Sequence, residues 1–265
     1  MEKERLDILL HKKGLAESRE RARRMIMAAQ VLVDGQVIDK PGARVPSNAV
    51  LAIKERLRYV SRGGLKLEAA LQAFGLDVRG VVAADIGAST GGFTDCLLQH
   101  GAARVYAIDV GYGQLAWRLR RNPRVVVMER VNARHLRELP EPVDLATVDV
   151  SFISLTLVLP AVMRLLKPEG QIISLIKPQF EAGPDQVGKG GVVKDHAVHD
   201  AVLCNVLGWA AANGLRTKAV IASPLHGPAG NVEFFAHLAA GDPQPIPERH
   251  AMVEDCLASL SADTR

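Results

Sequence analysis

Residues 81–101 constrain the fold of this chain more than any other stretch of its sequence. A short apolar run over residues 81–84 ends at Asp85 and predicts a buried strand. Small residues at 87–92 predict a turn, and residues 93–99 predict a helix. A strand, a glycine-rich turn and a helix form the first unit of an open parallel sheet, in which ligands bind at the carboxyl ends of the strands. The glycines let the backbone approach a ligand closely, and the start of the helix offers free N–H groups.

A second acidic residue lies where such a ligand site needs one. Residues 104–109, RVYAID, predict another strand, which ends in Asp109, 24 residues after Asp85. A carboxylate in this place can accept hydrogen bonds from both ribose hydroxyls of an adenosine-containing ligand.

The turn itself leaves three kinds of site open. A dinucleotide site favours the pattern G-x-G-x-x-G, but Ser89 stands in place of the middle glycine. Residues 87–91 also fit the G-x-S-x-G turn of a nucleophilic serine, for which Asp149 and His226 are candidate partners. The third candidate is S-adenosylmethionine, whose site resembles D-x-G-x-x-x-G followed by a ribose-binding carboxylate.

The charge of the chain is unevenly distributed. The formal net charge is +4, but residues 1–58 carry 13 Lys and Arg against 8 Asp and Glu, a net +5, and the remainder is slightly acidic. This distribution is expected if the N-terminal part contacts a polyanion, although a solvated basic face would show the same excess.

The cysteines and the apolar segments indicate a cellular compartment. Cys96, Cys204 and Cys256 are far apart and form no C-x-x-C pair, which favours a reducing compartment and argues against structural zinc. The charged N-terminus does not resemble a signal peptide, and no apolar run reaches the roughly 18 residues of a membrane span. We therefore expect a cytoplasmic protein without a membrane or metal partner.

The first 58 residues predict a small α+β module. Leu6, Leu9 and Leu10 share one face of a short helix, and Ala22, Ile26 and Ala29 share one face of a second, arginine-rich helix. In VLVDGQVI, residues 31–38, Asp34-Gly35 predicts a two-residue hairpin turn, and residues 49–53 predict another strand. This order of elements resembles the S4 RNA-binding domain, whose helices present basic side chains to folded RNA.

The remainder predicts an α/β domain with a mostly parallel sheet and helices on both faces. The last two strands have no strong helix between them, which predicts an antiparallel edge. Strands are predicted at 81–85, 104–109, 124–129, 143–149, 171–177, 217–222 and 232–238, and helices at 65–74, 91–99, 113–121, 155–166 and 196–213.

Charged residues at strand and helix ends are the candidate catalytic groups. Asp149 and Lys177 each end an apolar strand, so both are predicted at the ligand-binding edge of the sheet. Lys66 is predicted in the first turn of its helix, where the helix dipole disfavours a cation. Glu233 begins a late strand predicted beside that of Lys177. The alternatives are a structural Asp–Lys salt bridge and a solvated Lys66. The glycine-rich segment 178–194 predicts a functional loop.

These features together resemble the TlyA family of ribosomal RNA methyltransferases. The quoted motifs are an S4-like module, Lys66, DIGASTGGFTD, VDVSFIS, LIKPQFE and NVEFF, and they cover residues 1 to about 240. The resemblance implies a Rossmann-like class I methyltransferase fold, with an S4-like domain at 1–58, a basic linker at 59–62, an FtsJ-like domain at 63–242 and a partly helical extension at 243–265. The linker is the weakest match: the family has a short aromatic-bearing linker, and Tyr59-Val60 stands in its place here.

The resemblance also implies chemistry and partners. It implies methylation of a ribose 2′-hydroxyl, with cytidine the expected nucleotide, in RNA of the small or large ribosomal subunit or both. Lys66, Asp149, Lys177 and Glu233 match the family's K-D-K-E tetrad, with Lys177 the candidate base and no metal required. An inactive RNA-binding assembly factor and a membrane-active haemolysin are the alternatives.

The motifs and the resemblance together predict two further sets of residues. The predicted S-adenosylmethionine contacts are Asp85, Gly87, Ala88, Ser89, Thr90, Gly91, Gly92, Phe93, Asp109, Val110, Asn132, Ala133 and Asp149. The predicted RNA contacts are Arg5, Lys12, Arg19, Arg21, Arg23, Arg24 and Arg62.

Overall fold

The structure, a computed structural model, describes residues 3–27, 29–53, 58–242 and 245–262. The chain divides into two compact units, Met1–Leu57 and Arg58–Arg265. Residues 59–62, predicted as a linker, lie in the second unit. Tyr59 is buried there, and a Cβ on Gly64 would overlap its ring.

The first unit contains two short helices and two small sheets. Strands β1 and β4 form an antiparallel pair, and β3, β2 and β5 form an antiparallel sheet in that order. The elements are β1 Lys3–Arg5, α1 Leu6–Lys12, α2 Arg19–Met27, β2 Val31–Val33, β3 Gln36–Val37, β4 Arg44–Pro46 and β5 Leu51–Ile53. The pairing of β2 with β3 confirms the predicted hairpin, and Asp34 and Gly35 have the positive φ values, 49° and 81°, that a type I′ turn requires.

The core of this unit lies between the helices and the sheets. Leu6, Leu10 and Ile26 are fully buried there, as the helical spacing predicts. The prediction was wrong for Ala29, which is exposed with φ 53° because α2 ends at Met27. The pair of β1 and β4 was not predicted, because three-residue strands leave little periodic signal.

The second unit is built on a seven-stranded sheet in the order β11-β12-β10-β9-β6-β7-β8. The strands are β6 Val82–Ile86, β7 Arg104–Asp109, β8 Val125–Glu129, β9 Val143–Val148, β10 Leu166–Ile176, β11 Leu215–Ala222 and β12 Phe234–Ala240. The pairs among β10, β9, β6, β7 and β8 are parallel, whereas β12 is antiparallel to both β10 and β11. The predicted fold class and antiparallel edge are therefore confirmed.

Helices cover both faces of this sheet. Leu159, Leu203 and Val253 of α6, α8 and α9 are buried on one face, and Leu67 and Leu97 of α3 and α4 are buried on the other. The helices are α3 Arg62–Ala73, α4 Gly92–Gln99, α5 Trp117–Arg120, α6 Leu155–Leu165, α7 Pro178–Glu181, α8 His196–Ala212 and α9 Ile246–Ala262.

Two helices differ from the prediction. Helix α3 begins at Arg62, so Lys66 lies in its second turn, where the unfavourable dipole effect is weaker than predicted. Gly63 and Gly64 belong to the helix because Tyr59 packs on the second glycine. Helix α5 has only four residues, because the preceding segment turns at Gly113, where φ is 72°.

The C-terminal half holds the other departures. Strand β10 begins five residues early, directly after α6, and β12 begins after Glu233 rather than before it. The 178–194 segment contains α7, a short 3₁₀ turn at Pro184–Gln186 and a bridge between Gly188 and Val192. Residues 243–244 and 263–265 of the predicted extension lie outside the described residues, and α9 occupies the part between. In the portion of the chain that is described, no helix is both long and apolar enough to cross a membrane.

Candidate active site

The glycine turn follows β6 and lies against the end of β9. Gly87 and Gly91 have φ values of 84° and 93°, and Ser89 also has a positive φ, 48°. A Cβ on Gly87 would overlap the carbonyl oxygen of Asp149, so only glycine lets these two strand ends approach. The turn thus brings its backbone and Asp149 to the same edge of the sheet.

Asp85 lies behind this turn and does not line the cleft in front of it. Its carboxylate is fully buried and accepts hydrogen bonds from Thr94 N at 2.9 Å, Thr94 Oγ1 at 2.6 Å and Thr147 Oγ1 at 3.1 Å. Burial raises the pKa of Asp85 to about 6, against the lowering effect of these hydroxyl donors. The carboxylate therefore anchors the first turn of α4 to the sheet.

A cleft of about 430 Å³ opens in front of the turn. Of the predicted cofactor contacts, those that line it are Gly87, Ser89, Asp109, Val110, Asn132, Ala133 and Asp149. The others, Asp85, Ala88, Thr90, Gly91, Gly92 and Phe93, are not among its lining residues. Gly91 instead packs under Leu115 and Leu119, and Phe93 is buried beneath the sheet.

Asp109 forms the acidic wall of the cleft. One of its carboxylate oxygens accepts from Ser89 N at 2.8 Å and the other accepts from Gly111 N at 2.7 Å. Each oxygen has a further lone pair, so the carboxylate can still accept a hydroxyl hydrogen bond. Ile108, Val131 and Val158 give the cleft an apolar wall.

The four residues of the predicted tetrad form two ion pairs. Lys66 Nζ donates to Glu233 Oε2 at 2.5 Å, and both side chains are at least nine-tenths buried. Lys177 Nζ lies 2.5 Å from Asp149 Oδ1 and donates to Ser151 Oγ at 3.0 Å. Ile176 of β10 pairs with Phe234 of the antiparallel strand β12. Lys177, which follows Ile176, and Glu233, which precedes Phe234, therefore lie at adjacent positions just beyond the two strands. The structure thus brings two lysines and two carboxylates together beside the cleft.

A family model for FtsJ-like methyltransferases matches residues 59–240, and a model for the S4 domain matches residues 4–51. The chain belongs to the FtsJ-like methyltransferase family. It is 49% identical to YqxC of Bacillus subtilis over 97% of this chain and 95% of that protein. It is 48% identical to the Mycobacterium tuberculosis protein named 16S/23S rRNA (cytidine-2'-O)-methyltransferase TlyA, over 88% of this chain and 89% of that one.

A solved structure shows the same similarity in three dimensions. The protein, described as a hemolysin from Streptococcus thermophilus, superimposes with a TM-score of 0.74 at 44% identity, covering 100% of this chain and 99% of that chain. The match therefore includes both units and the C-terminal helix α9.

The cleft fits the S-adenosylmethionine that FtsJ-like methyltransferases use. Its volume of about 430 Å³ falls in the range of small-molecule sites. The backbone at Gly87 and Ser89 is open to a ligand, Asp109 can accept from a ribose, and the apolar wall suits an adenine ring. Asn132 also lines the cleft, and its side chain accepts from Arg134 N and caps a short 3₁₀ turn.

The nucleophilic-serine alternative is not supported by these contacts. Asp149 pairs with Lys177 and not with a histidine, and His226 is exposed. The Ser89 hydroxyl donates only a long bond, 3.4 Å, to Gln114 Oε1. The three groups therefore do not form a hydrogen-bonded triad.

Sequence reasoning missed two residues that join the loops after β9 and β10. Glu181 accepts from Leu155 N at 2.7 Å and from Ser154 Oγ at 2.6 Å, so it caps α6 from the other loop. Burial raises its pKa. Phe152 is 90% exposed, has φ 62° and packs on Phe180 at 4.9 Å between ring centroids. The motifs VDVSFIS and LIKPQFE contain these residues, but only the fold shows that they meet.

The loop after α7 is tied to the segment that carries Glu233. Asn231, which is buried, accepts from Val193 N at 2.9 Å and donates to Gly191 O at 2.8 Å. His199 contacts Val193 O at 3.2 Å, and burial lowers its pKa. The glycine-rich loop is therefore held at its end by residues of the core.

Some of the predicted RNA contacts form ion pairs within the protein, and others do not. Arg5 and Arg19 both donate to the buried Asp7 at 3.0 Å, and Lys12 pairs with Glu4. The hydrogen bond from Arg5 is the main cause that lowers the pKa of Asp7 to about 2. Arg21, Arg23 and Arg24 of α2 have exposed side chains and form no ion pair in the described residues. Arg62, at the start of α3, is exposed and donates to His226 O at 3.2 Å.

Proposed function

We propose that this protein transfers a methyl group from S-adenosylmethionine to the ribose 2′-hydroxyl of cytidine in ribosomal RNA. The observation that carries the proposal is the Lys177–Asp149 pair at the rim of the cofactor cleft, beside the buried Lys66–Glu233 pair. The S4 domain supports an RNA substrate, and the printed name of the Mycobacterium tuberculosis relative supports cytidine in both ribosomal subunits.

The residues at the rim can perform the proton transfer that this reaction needs. S-adenosylmethionine supplies a methyl group on a positively charged sulfur, which leaves with the electrons of the broken bond. Lys177 Nζ, in its neutral form, takes the proton from the ribose hydroxyl as the oxygen forms its bond to the methyl carbon. Asp149 and Ser151 hold the lysine in place, and the Lys66–Glu233 pair fixes the neighbouring strand.

The remaining roles follow from position. Gly87, Ser89, Asp109, Val110, Asn132 and Ala133 bind the cofactor, and Asp149 lines the same cleft. Asp85 acts by positioning the turn. The arginines of α2 bind phosphates of the RNA, a contact that recognises shape more than sequence.

The experiment is transfer of labelled methyl groups to purified ribosomal subunits. Both subunits, taken from cells that lack this gene, are incubated with the protein and labelled S-adenosylmethionine, and 2′-O-methyl sites are mapped. We expect a modified cytidine in at least one subunit RNA. Tight RNA binding without any transfer would instead identify an assembly factor, and transfer to a base atom would refute the ribose chemistry.

A further inference from the structure

An exposed tryptophan lies beside the cofactor turn and has no part in the proposed chemistry. Trp117 opens α5, and its side chain is 69% exposed. Its neighbours Leu115 and Leu119 are buried and pack against Gly91 of the turn. Leu119 of α5 and the preceding Leu115 therefore hold this segment against the turn, while most of the tryptophan stays exposed.

The segment that begins with this tryptophan is rich in arginine. Residues 117–130 contain five arginines and one acidic residue. Arg118 pairs with Asp95, and Arg120 pairs with Glu129. Arg121 lies over the Trp117 ring at 5.9 Å, and Arg124 donates to the carbonyls of Leu98 and Ala102 at 3.3 and 3.0 Å.

Three of the five arginines form no ion pair within the described residues: Arg121, Arg124 and Arg130, the last of which lies over the Tyr112 ring at 4.2 Å. Both Arg121 and Arg124 are exposed, and neither forms an ion pair within the described residues. The two carbonyl bonds hold the Arg124 side chain at the end of α4, so its charge is presented in a fixed place. The surface thus combines an open aromatic face with two free positive charges.

We propose that Trp117, Arg121 and Arg124 form a second RNA-binding surface, on the methyltransferase unit itself. Its ligand is a single-stranded segment of the ribosomal RNA substrate, so the inference rests on the proposed function. A base stacks on the open face of Trp117, while the two arginines contact phosphates, which is the combination that single-stranded nucleic acid binding uses.

The position of the surface supports this ligand over a protein partner. Gln114 lines the cofactor cleft and lies three residues before Trp117, so the tryptophan lies close in the chain to the cleft. An apolar protein partner would favour fewer free charges around the ring, whereas phosphates require them.

The test is RNA binding by two variants of the full-length protein. Trp117→Ala removes the stacking face and should weaken binding to purified, unmodified ribosomal RNA by about tenfold. Arg121→Glu should weaken it by a similar factor at low salt and lower the slope of log affinity against log salt by about one. Calorimetry should give wild-type affinity for S-adenosylmethionine in both variants, because neither residue lines the cleft.

Matched controls exist elsewhere in the same unit. Arg216→Glu makes the same charge change at an exposed position of β11, the opposite edge strand of the sheet from β8. Ile246→Ala removes a side chain that is 62% exposed at the start of α9. Wild-type RNA affinity in both controls and a loss in both α5 variants supports the surface. Equal affinity in all four proteins, or equal loss in the two Arg→Glu variants, overturns it.

Fluorescence separates stacking from a charge effect. The chain has two tryptophans, Trp117 and Trp209, so Trp209→Phe leaves Trp117 as the sole reporter. Single-stranded ribosomal RNA should quench and shift its emission, and the same RNA annealed to a complementary strand should have much less effect. Unchanged emission at saturating RNA would refute stacking on this ring.

The two proposals can fail separately. If the wild-type protein transfers no methyl group but Trp117→Ala still weakens RNA binding, the surface stands and the proposed reaction fails. If the wild type methylates ribosomal RNA and both α5 variants bind and methylate it equally well, the reaction stands and the surface fails.

Discussion

At the scale of single residues, Lys177 decides whether the ion pairs beside the cleft are catalytic or only structural. Lys177→Ala should abolish methyl transfer while cofactor and RNA affinities stay near wild type, because a general base acts in the transition state. Lys177→Arg should fail as well, since a guanidinium keeps the charge but cannot release its proton near neutral pH. Single-turnover methyl transfer, measured for the wild type and both variants, tests this expectation.

Lys167 provides the matched control on the same strand. Lys167 is the second residue of β10, at the end of the strand away from the cleft, and pairs with Asp144 at 2.6 Å. Lys167→Ala should lower the melting temperature slightly and leave the transfer rate unchanged. An active, folded Lys177→Arg protein would show that Lys177 is a structural partner of Asp149, and would end the proposed role.

Asp109 is the residue on which cofactor affinity should depend most. Its carboxylate faces the cleft and also orders Ser89 N and Gly111 N. Asp109→Ala should weaken S-adenosylmethionine binding by about 10- to 100-fold, since each hydrogen bond to a charged acceptor contributes roughly 1.5–3 kcal/mol. Calorimetry on Asp109→Ala and on Ser89→Ala tests this, because the second change leaves the backbone N–H in place. Wild-type affinity for S-adenosylmethionine in both variants would show that Asp109 does not bind the cofactor.

Residues at strand ends were predictable, and residues that act across loops were not. Asp109, Asp149 and Lys177 each follow an apolar run, and parallel strands bring their carboxyl ends to one edge. Asp85 follows the same rule, but its carboxylate points into the core because Thr94 and Thr147 lie there to bind it. No local pattern relates Glu181 to Ser154, which is 27 residues away in the chain.

At the scale of elements, the buried Asp85 links β6 to α4 and makes the second unit sensitive to pH. Its pKa of about 6 in the folded protein exceeds the ordinary value of 3.8, so the folded state binds more protons between these values. Stability from this group is therefore fully present below about pH 4 and decreases by about 3 kcal/mol as pH rises through 6. Asp85→Asn should abolish this pH-dependent component, because an amide does not titrate. The site should stay intact, since the amide oxygen can accept from Thr94 and the amide nitrogen can donate to Thr147.

Denaturant unfolding of both proteins, followed from pH 4.5 to 7.5, measures this difference. Both tryptophans lie in the second unit, so their emission reports on it alone. The Asn variant should gain stability relative to the wild type as pH rises. A difference that stays constant over the whole range would mean that Asp85 does not titrate there.

The elements that sequence periodicity predicted best are those with long buried faces. Helices α6 and α8 and strand β7 match within one residue, because apolar residues recur along their whole length. The ends of α3 and the length of α5 were wrong, since a tertiary contact decides each. Tyr59 packs on Gly64 and allows the helix to begin through two glycines, and Glu129 holds Gly113 N at 2.8 Å and shortens α5.

At the scale of the whole molecule, the two units differ in net charge. Residues 1–57 carry 12 Lys and Arg against 8 Asp and Glu, whereas the methyltransferase unit is nearly neutral in sum and carries Arg121 and Arg124 in the segment that begins with α5. The charge count by segment predicts an RNA-binding surface on the first unit. It does not indicate the second surface, because acidic residues elsewhere in the unit cancel the local excess of residues 117–130 in a sum over the whole unit.

Removal of the first unit should separate the two surfaces. The truncated protein must begin at Arg58, because a start at residue 61 would delete Tyr59, which is 1% exposed in the second unit. It should fold and bind S-adenosylmethionine, since the whole sheet and cleft remain. Its affinity for ribosomal RNA should fall, and the slope of log affinity against log salt should become shallower by about two to three if Arg21, Arg23 and Arg24 each contact a phosphate.

The full-length variant with all three of these arginines changed to alanine is the matched control. It should show the same shallower slope, although it retains the first unit. Equal slopes for the wild type, the triple variant and the truncated protein would mean that α2 does not contact the RNA.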